Sequence, residues 1–207
     1  MSFPDVDDTQ FTMEQASQNK LILDELRYDR ALLAKQHKKF LSQIYTNQNH
    51  VYDKIIAAIT SNSGGVFFLY GYGGTGKIFV WKTLSAALRS KGEIVLTVAS
   101  SGIALLLLPG GRIAHFRFAI PLTPDECATC NIKQGNPLAR LISIRKLIIW
   151  DETPIMNRFC FEALDRTIRD LLRHTNDASL HLPFGGKTVV LGGNFRQIPP
   201  IITKGSR

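Results

Sequence analysis

No apolar run in this sequence is longer than the stretch from Ile103 to Leu108, far short of the ~20 residues that a helix needs to cross a bilayer. A membrane-spanning helix is thereby excluded, and a soluble protein is the expected class. The opening MSFPDVDDTQ is acidic and carries no apolar segment, which speaks against a secretory leader. Cysteine is scarce: Cys127 and Cys130 form a C-x-x-C, and Cys160 stands alone. No second pair completes the four ligands of a structural zinc site, so the C-x-x-C reads as part of a loop, in a reducing compartment. Negative charge is also in deficit, with 17 Asp and Glu against 25 Lys and Arg and a net charge of +8. Such a balance suits a polyanionic partner or simply a solvated basic surface. Internal repeats and low-complexity tracts are absent.

One further absence is confined to a single position. Residues 66 to 77 read VFFLYGYGGTGK, an apolar strand entering a glycine-rich loop that ends in lysine. The phosphate-binding loop G-x-x-x-x-G-K-[ST] requires a hydroxyl next, because that oxygen ligates the magnesium bridging the nucleotide phosphates. Here the next residue is Ile78. The remainder of the loop is intact: Gly71, Gly73, Gly74 and Gly76, with Thr75 between them, let main-chain N–H groups turn toward a phosphate. Lys77 is placed to reach the β and γ phosphates at the start of a helix. Val66, Phe67, Phe68 and Leu69 suit a strand buried on both faces, and Val80, Trp81, Leu84, Ala87 and Leu88 recur at helical spacing.

Around this loop the chain alternates. A helix is expected from about Met13 to His37, followed by the basic cluster Lys35, His37, Lys38 and Lys39, and a second from Gln48 to Thr60. After the Ser61–Gly65 break come strands at Val66–Leu69, Glu93–Ala99, Lys146–Trp150 and Lys187–Leu191. Phe161, Leu164, Ile168, Leu171 and Leu172 mark an amphipathic helix between the last two. The pattern predicts an α/β P-loop NTPase fold: a parallel sheet with helices on both faces, preceded by an N-terminal helical segment, its ligand site at the carboxyl ends of the strands. The division expected is an N-terminal extension over residues 1–45 and an ATP-binding domain over residues 46–207. Pro109 to Pro137 reads as one long functional connection.

Two more motifs fall at strand ends. Trp150-Asp151-Glu152 places one carboxylate to hold Mg2+ and a second to take a proton from the water that attacks the γ-phosphorus; the plain alternative is a helix cap. In GGNFRQIPP, Gln197 is placed to contact the γ-phosphate or orient that water, unless the glycines merely end the strand.

Taken in order, G-x-G-G-T-G-K, ASSGIA, GGR-x-A-H, WDE and GG-x-FRQ-x-x-P resemble the Pif-type (petite integration frequency) DNA helicases of superfamily one, especially their eukaryotic, transposon-associated branch. The likeness runs from about Gln48 to the C-terminus. It implies an ATP-driven, Mg2+-dependent motor that moves 5′ to 3′ on single-stranded DNA, acts at duplex junctions, and serves DNA repair, recombination and telomere maintenance. It also implies that Gln48 reads adenine, Gly73 to Lys77 cradle phosphates, Asp151 and Glu152 are the metal and base pair, and Gln197 senses the γ-phosphate. Ser100, Ser101, Gly102 and Ile103, with His115 downstream, would contact single-stranded DNA. Phe116 and Phe118 are either stacking platforms for bases or core residues.

The chain departs from that pattern at Ile78, at Asn194 where the family usually has Asp, and at Ile113 and Phe116 where hydroxyl residues are common. It also stops soon after Gln197, so a second RecA-like domain with its arginine finger is expected to be missing. The readings left open are a helicase ATP-binding domain, impaired or not, located in the nucleus, and a non-catalytic module that binds nucleotide or single-stranded DNA. A small P-loop kinase is disfavoured by the Gly192–Pro200 motif.

Overall fold

The computed structural model describes residues 19–197. Its framework is a five-stranded sheet of β1 (Gly65–Tyr70), β2 (Val95–Ala99), β3 (Arg112–Ile113), β4 (Leu147–Asp151) and β5 (Thr188–Gly193). The strand order is β1-β5-β4-β2-β3, and every pairing is parallel. Eight α-helices surround it among the described residues: α1 (Lys20–Leu26), α2 (Arg30–Leu41), α3 (Thr46–Thr60), α4 (Lys77–Arg89), α5 (Gly102–Leu105), α6 (Ala114–Arg117), α7 (Pro137–Ile144) and α8 (Arg158–Arg173).

Side chains on a strand alternate between its two faces, and the core divides accordingly. Val95, Leu147, Ile149 and Val190 pack with Trp81 and Leu84 of α4 and Ile55 of α3. Leu96, Val98, Ile148, Trp150 and Val189 pack on the opposite side with Leu141 of α7 and Leu164 and Ile168 of α8. The apolar positions expected on α4, from Val80 to Leu88, are all buried, and those expected on α8 lie in or against the second cluster. Each fully buried side chain of this size contributes about 1.5–3 kcal/mol before ordering costs are subtracted.

Three expectations change. β1 is covered on one face only: Phe67 and Leu69 pack against the α3–α4 side, while Val66, Phe68 and Tyr70 are exposed. The continuous apolar run reflected an edge strand whose second face carries its own aromatic cluster, with Phe68 stacked on Phe195 at 5.0 Å. The helix expected from Met13 to His37 is two helices where described, and Met13 to Gln18 lie outside the described residues. The break comes where Asp29 caps α2 by accepting from the Leu32 N–H at 2.9 Å, a side-chain bond that restarts a helix rather than continuing one. The Pro109–Pro137 connection is not a bare loop, since it contains β3 and α6.

The N-terminal helices pack onto the same core. Ile22 of α1 is buried among residues of α7 and α8, and Asn19 donates to the Pro137 carbonyl at 2.8 Å. Glu25, also buried, pairs with Arg117 at 2.5 Å and lies 3.7 Å from Arg89. Arg89 donates to the Val95 and Pro109 carbonyls at 2.8 Å each. His37, inside the basic cluster, is hydrogen-bonded to the Tyr52 hydroxyl at 2.8 Å.

Candidate functional site

Because all strands run parallel, the ends of β1, β2, β4 and β5 meet at one edge of the sheet. The loop from Gly71 to Gly76 follows β1 directly, and α4 starts at Lys77. Gly76 caps α4 with φ at 81°, a left-handed geometry that glycine adopts without strain. A Cβ there would also sit 2.2 Å from Gln48 Nε2. That contact locates Gln48: at the third position of α3, its amide reaches over the loop, 3.5 Å from the Thr75 carbonyl. Its Oε1 meanwhile accepts from the Tyr45 N–H at 3.2 Å, so Gln48 also helps start α3.

A cavity of about 340 Å³ opens above the loop. Gly73, Gly74, Thr75, Gly76, Lys77, Asp151 and Glu152 all line it, so residues more than 70 positions apart in sequence share one space. Lys77 Nζ is held by the Gly71 and Tyr72 carbonyls at 2.5 and 2.9 Å. Thr75 Oγ1 donates to the Tyr72 carbonyl at 2.8 Å, which tightens the turn.

Asp151 ends β4 and is only 4% exposed. Burial pushes its carboxyl above the ordinary range, while the Glu152 N–H, Trp81 and the charge of Lys77 act in the opposite direction. Its Oδ1 is buried and makes no hydrogen bond of full geometry, although the equally unpaired indole N–H of Trp81 lies close enough to favour the ionised form. A desolvated, unpaired carboxylate oxygen is costly unless a cation meets it. Magnesium is commonly held by one or two carboxylates, with phosphate and water oxygens completing its shell. Asp151 fits that requirement and Ile78 does not, since its branched side chain packs partly against the α3–α4 core while lining the same cavity.

Glu152 adopts a left-handed backbone, φ 55° and ψ 36°, a strained conformation for a residue with a side chain. Ser101 donates its hydroxyl to Glu152 Oε2 and accepts from the Ala104 N–H at 3.3 Å as the cap of α5. Ser100 is a latch between strand ends: its N–H donates to the Asp151 carbonyl at 3.2 Å, and its Oγ accepts from the Trp150 indole at 3.0 Å. Thus the Ser100–Ser101 segment touches the acidic pair directly.

Other expected site residues separate. Gly102 borders open space. His115 lies against Cys160, 3.8 Å from its Sγ, and Phe116 is 81% exposed. Phe118 is fully buried beside Trp150, ring centroids 5.9 Å apart, so of its two readings the core one holds and no ring face is free for a base. Gln197 ends the turn Phe195–Gln197; its side chain lies outside what is described. Asn194 Oδ1 accepts from the Arg196 N–H at 3.0 Å, a turn-capping bond that Asn makes as well as Asp. Sequence reasoning missed Ile103, Ala104, Leu107 and Tyr72 as cavity walls. The signal available for the first three was an apolar run following the ASSG segment. Ile103 and Leu106 are 81% and 79% exposed.

The profile described as PIF1-like helicase matches residues 43–207. Trypanosoma brucei brucei ATP-dependent DNA helicase PIF4 is 30% identical over 142 residues, covering 65% of this chain and 16% of that protein. Human ATP-dependent DNA helicase PIF1 is 30% identical over 146 residues, covering 70% of this chain and 21% of its own length. The crystal structure of Bacteroides Pif1 helicase in complex with ADP-AlF3 and ssDNA superposes with a TM-score of 0.57 and 28% identity, over 74% of this chain and 33% of that one. The chain therefore spans between a sixth and a third of these relatives. With most of its length matched by the family model and the parallel α/β sheet shared with the solved structures, this chain belongs to the PIF1-like helicase family.

Proposed function

We propose that this chain is the first RecA-like, ATP-binding domain of a Pif-type DNA helicase from the transposon-associated branch, working in the nucleus with a second RecA-like domain. The carrying observation is the convergence of the Lys77 loop, Asp151 and Glu152 on one 340 Å³ cavity. The nucleotide phosphates lie along the loop N–H groups, and Lys77 exchanges its bonds to the Gly71 and Tyr72 carbonyls for phosphate oxygens. Gln48, beside the loop, presents its amide to adenine. Glu152 takes the proton of the attacking water, and Gln197 senses the γ-phosphate. When bound at Asp151, Mg2+ neutralises charge that develops on the phosphates during transfer. Single-stranded DNA or the single strand at a duplex junction passes the Ser100–Gly102 segment, with Phe116 as an exposed stacking platform. Through the Ser101 to Glu152 hydrogen bond, strand contact alters how the base is held. The biological settings are those of the family at large: DNA repair, recombination and telomere maintenance. The exposed apolar ridge of Ile103 and Leu106 beside the cavity supports a second domain closing there.

Ile78 favours a second reading in which nucleotide is bound without efficient turnover. Titrating a fluorescent ATP analogue with and without Mg2+ separates the two. In the weak-turnover case Mg2+ changes affinity little, and Ile78→Thr raises its effect about tenfold, roughly one ligand-strength interaction of 1.4 kcal/mol. If Lys77→Ala leaves nucleotide affinity unchanged, both readings fail.

A further inference from the structure

The amino ends of the strands, at the sheet edge opposite the ATP cavity, carry a second cavity of about 260 Å³. Two lysines line it together with Asn62, Asn176, Ser179 and Gly186, and none of its lining residues is acidic. The register explains the lysines' proximity: Leu147 of β4 pairs with Thr188 of β5, so the residues just before them, Lys146 and Lys187, are side by side. Like charges placed so repel. Neither forms an ion pair among the described residues.

Arg145 adds a third cation. Its side chain is fully buried, it donates from Nη1 to the Ile142 carbonyl, and its Nε and Nη2 have no partner. Burial pulls its pKa down to about 9. Its charge, with that of Lys146, adds to burial in lowering the pKa of Lys187. Asp165, a carboxylate on neighbouring α8, is already engaged by Arg169 at 2.6 Å and by the Phe184 N–H at 2.5 Å. Two lysines thus share one polar cavity that no acidic residue lines, with the buried Arg145 adding its charge from behind, an arrangement that an anion relieves and that costs stability without one.

We infer that this cavity is a second anion site, taking a phosphate-type oxyanion between Lys146 and Lys187, with the amide and hydroxyl groups of Asn62, Asn176 and Ser179 as further hydrogen-bond donors. The phosphate is either free or part of a nucleic-acid backbone. The site is separate from the phosphate loop and independent of ATP turnover.

The test is thermal melting of the full chain carrying Lys77→Ala, which removes the loop lysine, in inorganic phosphate against sodium chloride of equal ionic strength. A phosphate concentration about tenfold above Kd should raise Tm by roughly 3–5 °C. Adding Lys146→Gln and Lys187→Gln should abolish the rise; both positions border solvent-accessible space, so folding survives. A rise that persists in this variant, or no rise beyond the chloride control in the Lys77→Ala protein, overturns the proposal. A thymidine oligonucleotide identifies the source: affinity that falls severalfold with the two glutamines places a backbone phosphate there, and unchanged affinity assigns a free anion.

Discussion

The two ends of the sheet are opposites in charge and alike in construction. At the carboxyl ends, Asp151 is buried with an unpaired oxygen. At the amino ends, Arg145 is buried with two unpaired nitrogens. Each is a buried charge with unpaired atoms, a state that costs free energy unless it is compensated; at Asp151 the charge of Lys77 supplies part of that compensation. The first shares a cavity with the Lys77 loop and Glu152, the proposed phosphate-transfer site, and so suits a cation. The second lies close enough to Lys187 for its charge to act there together with that of Lys146, and so suits an anion. The difference teaches that an orphaned buried charge points to the sign of a ligand, while its neighbours decide whether chemistry follows.

The sharpest way to separate the two ends is catalytic. Glu152→Gln, made in the Ile78→Thr protein, should lower DNA-stimulated phosphate release by about 10²–10⁴-fold, the contribution of a positioned general base, with nucleotide affinity little changed. At saturating DNA, Lys146→Gln and Lys187→Gln should leave that rate within twofold. A large rate loss from the lysine pair would mean that the two ends are coupled, and the comparison would have to be redrawn.

A smaller effect has opposite signs for function and stability. Asp151→Asn removes the carboxylate that would hold Mg2+, so Mg2+-dependent nucleotide affinity should be lost. Without ligand the same change removes the buried charge but keeps a buried polar group, so it should stabilise the fold at pH 7 only modestly. Its pH dependence follows from the raised pKa of Asp151. Above the ordinary carboxylate pKa the unfolded chain has released this proton while the folded one retains it. Wild-type stability therefore falls as pH rises through that window. The advantage of Asp151→Asn should shrink as pH is lowered back through it. Urea unfolding at several pH values measures both, and a destabilised Asp151→Asn protein would show that Asp151 is compensated within the fold.

The carboxyl end was legible in the sequence because its signals are local. GYGGTGK and WDE each carry their chemistry within a few residues, and the alternation of strands and helices placed them at the same edge. β2, β4 and β5 begin within two residues of where they were expected. What was not legible depended on partners distant in sequence. Phe116 and Phe118 are two residues apart and similar in context, yet one is 81% exposed and the other fully buried, because α6 turns one ring outward and one toward Trp150. The one-sided burial of β1 was hidden by a continuous apolar run. The amino-end cavity had no motif at all: Lys146 and Lys187 become neighbours only through the β4–β5 register.

The smallest effect tests that cavity on its own terms. Arg145→Met keeps an unbranched chain of similar length and deletes the buried charge, losing one hydrogen bond, to the Ile142 carbonyl. A buried ion replaced by a well-packed apolar side chain is commonly neutral to stabilising, so a net gain of about 1 kcal/mol is expected in phosphate-free buffer. Adding phosphate should reduce the gain, since the anion stabilises the wild type more. Because the folded pKa of Arg145 is depressed to about 9 and the unfolded one is ordinary, above pH 9 the folded protein gives up a proton that the unfolded chain keeps. Wild-type stability then rises relative to Arg145→Met, and the gap should narrow between pH 9 and 10. A gap that is constant in both phosphate and pH would mean that the guanidinium is already compensated, and the symmetry between the two ends would fail.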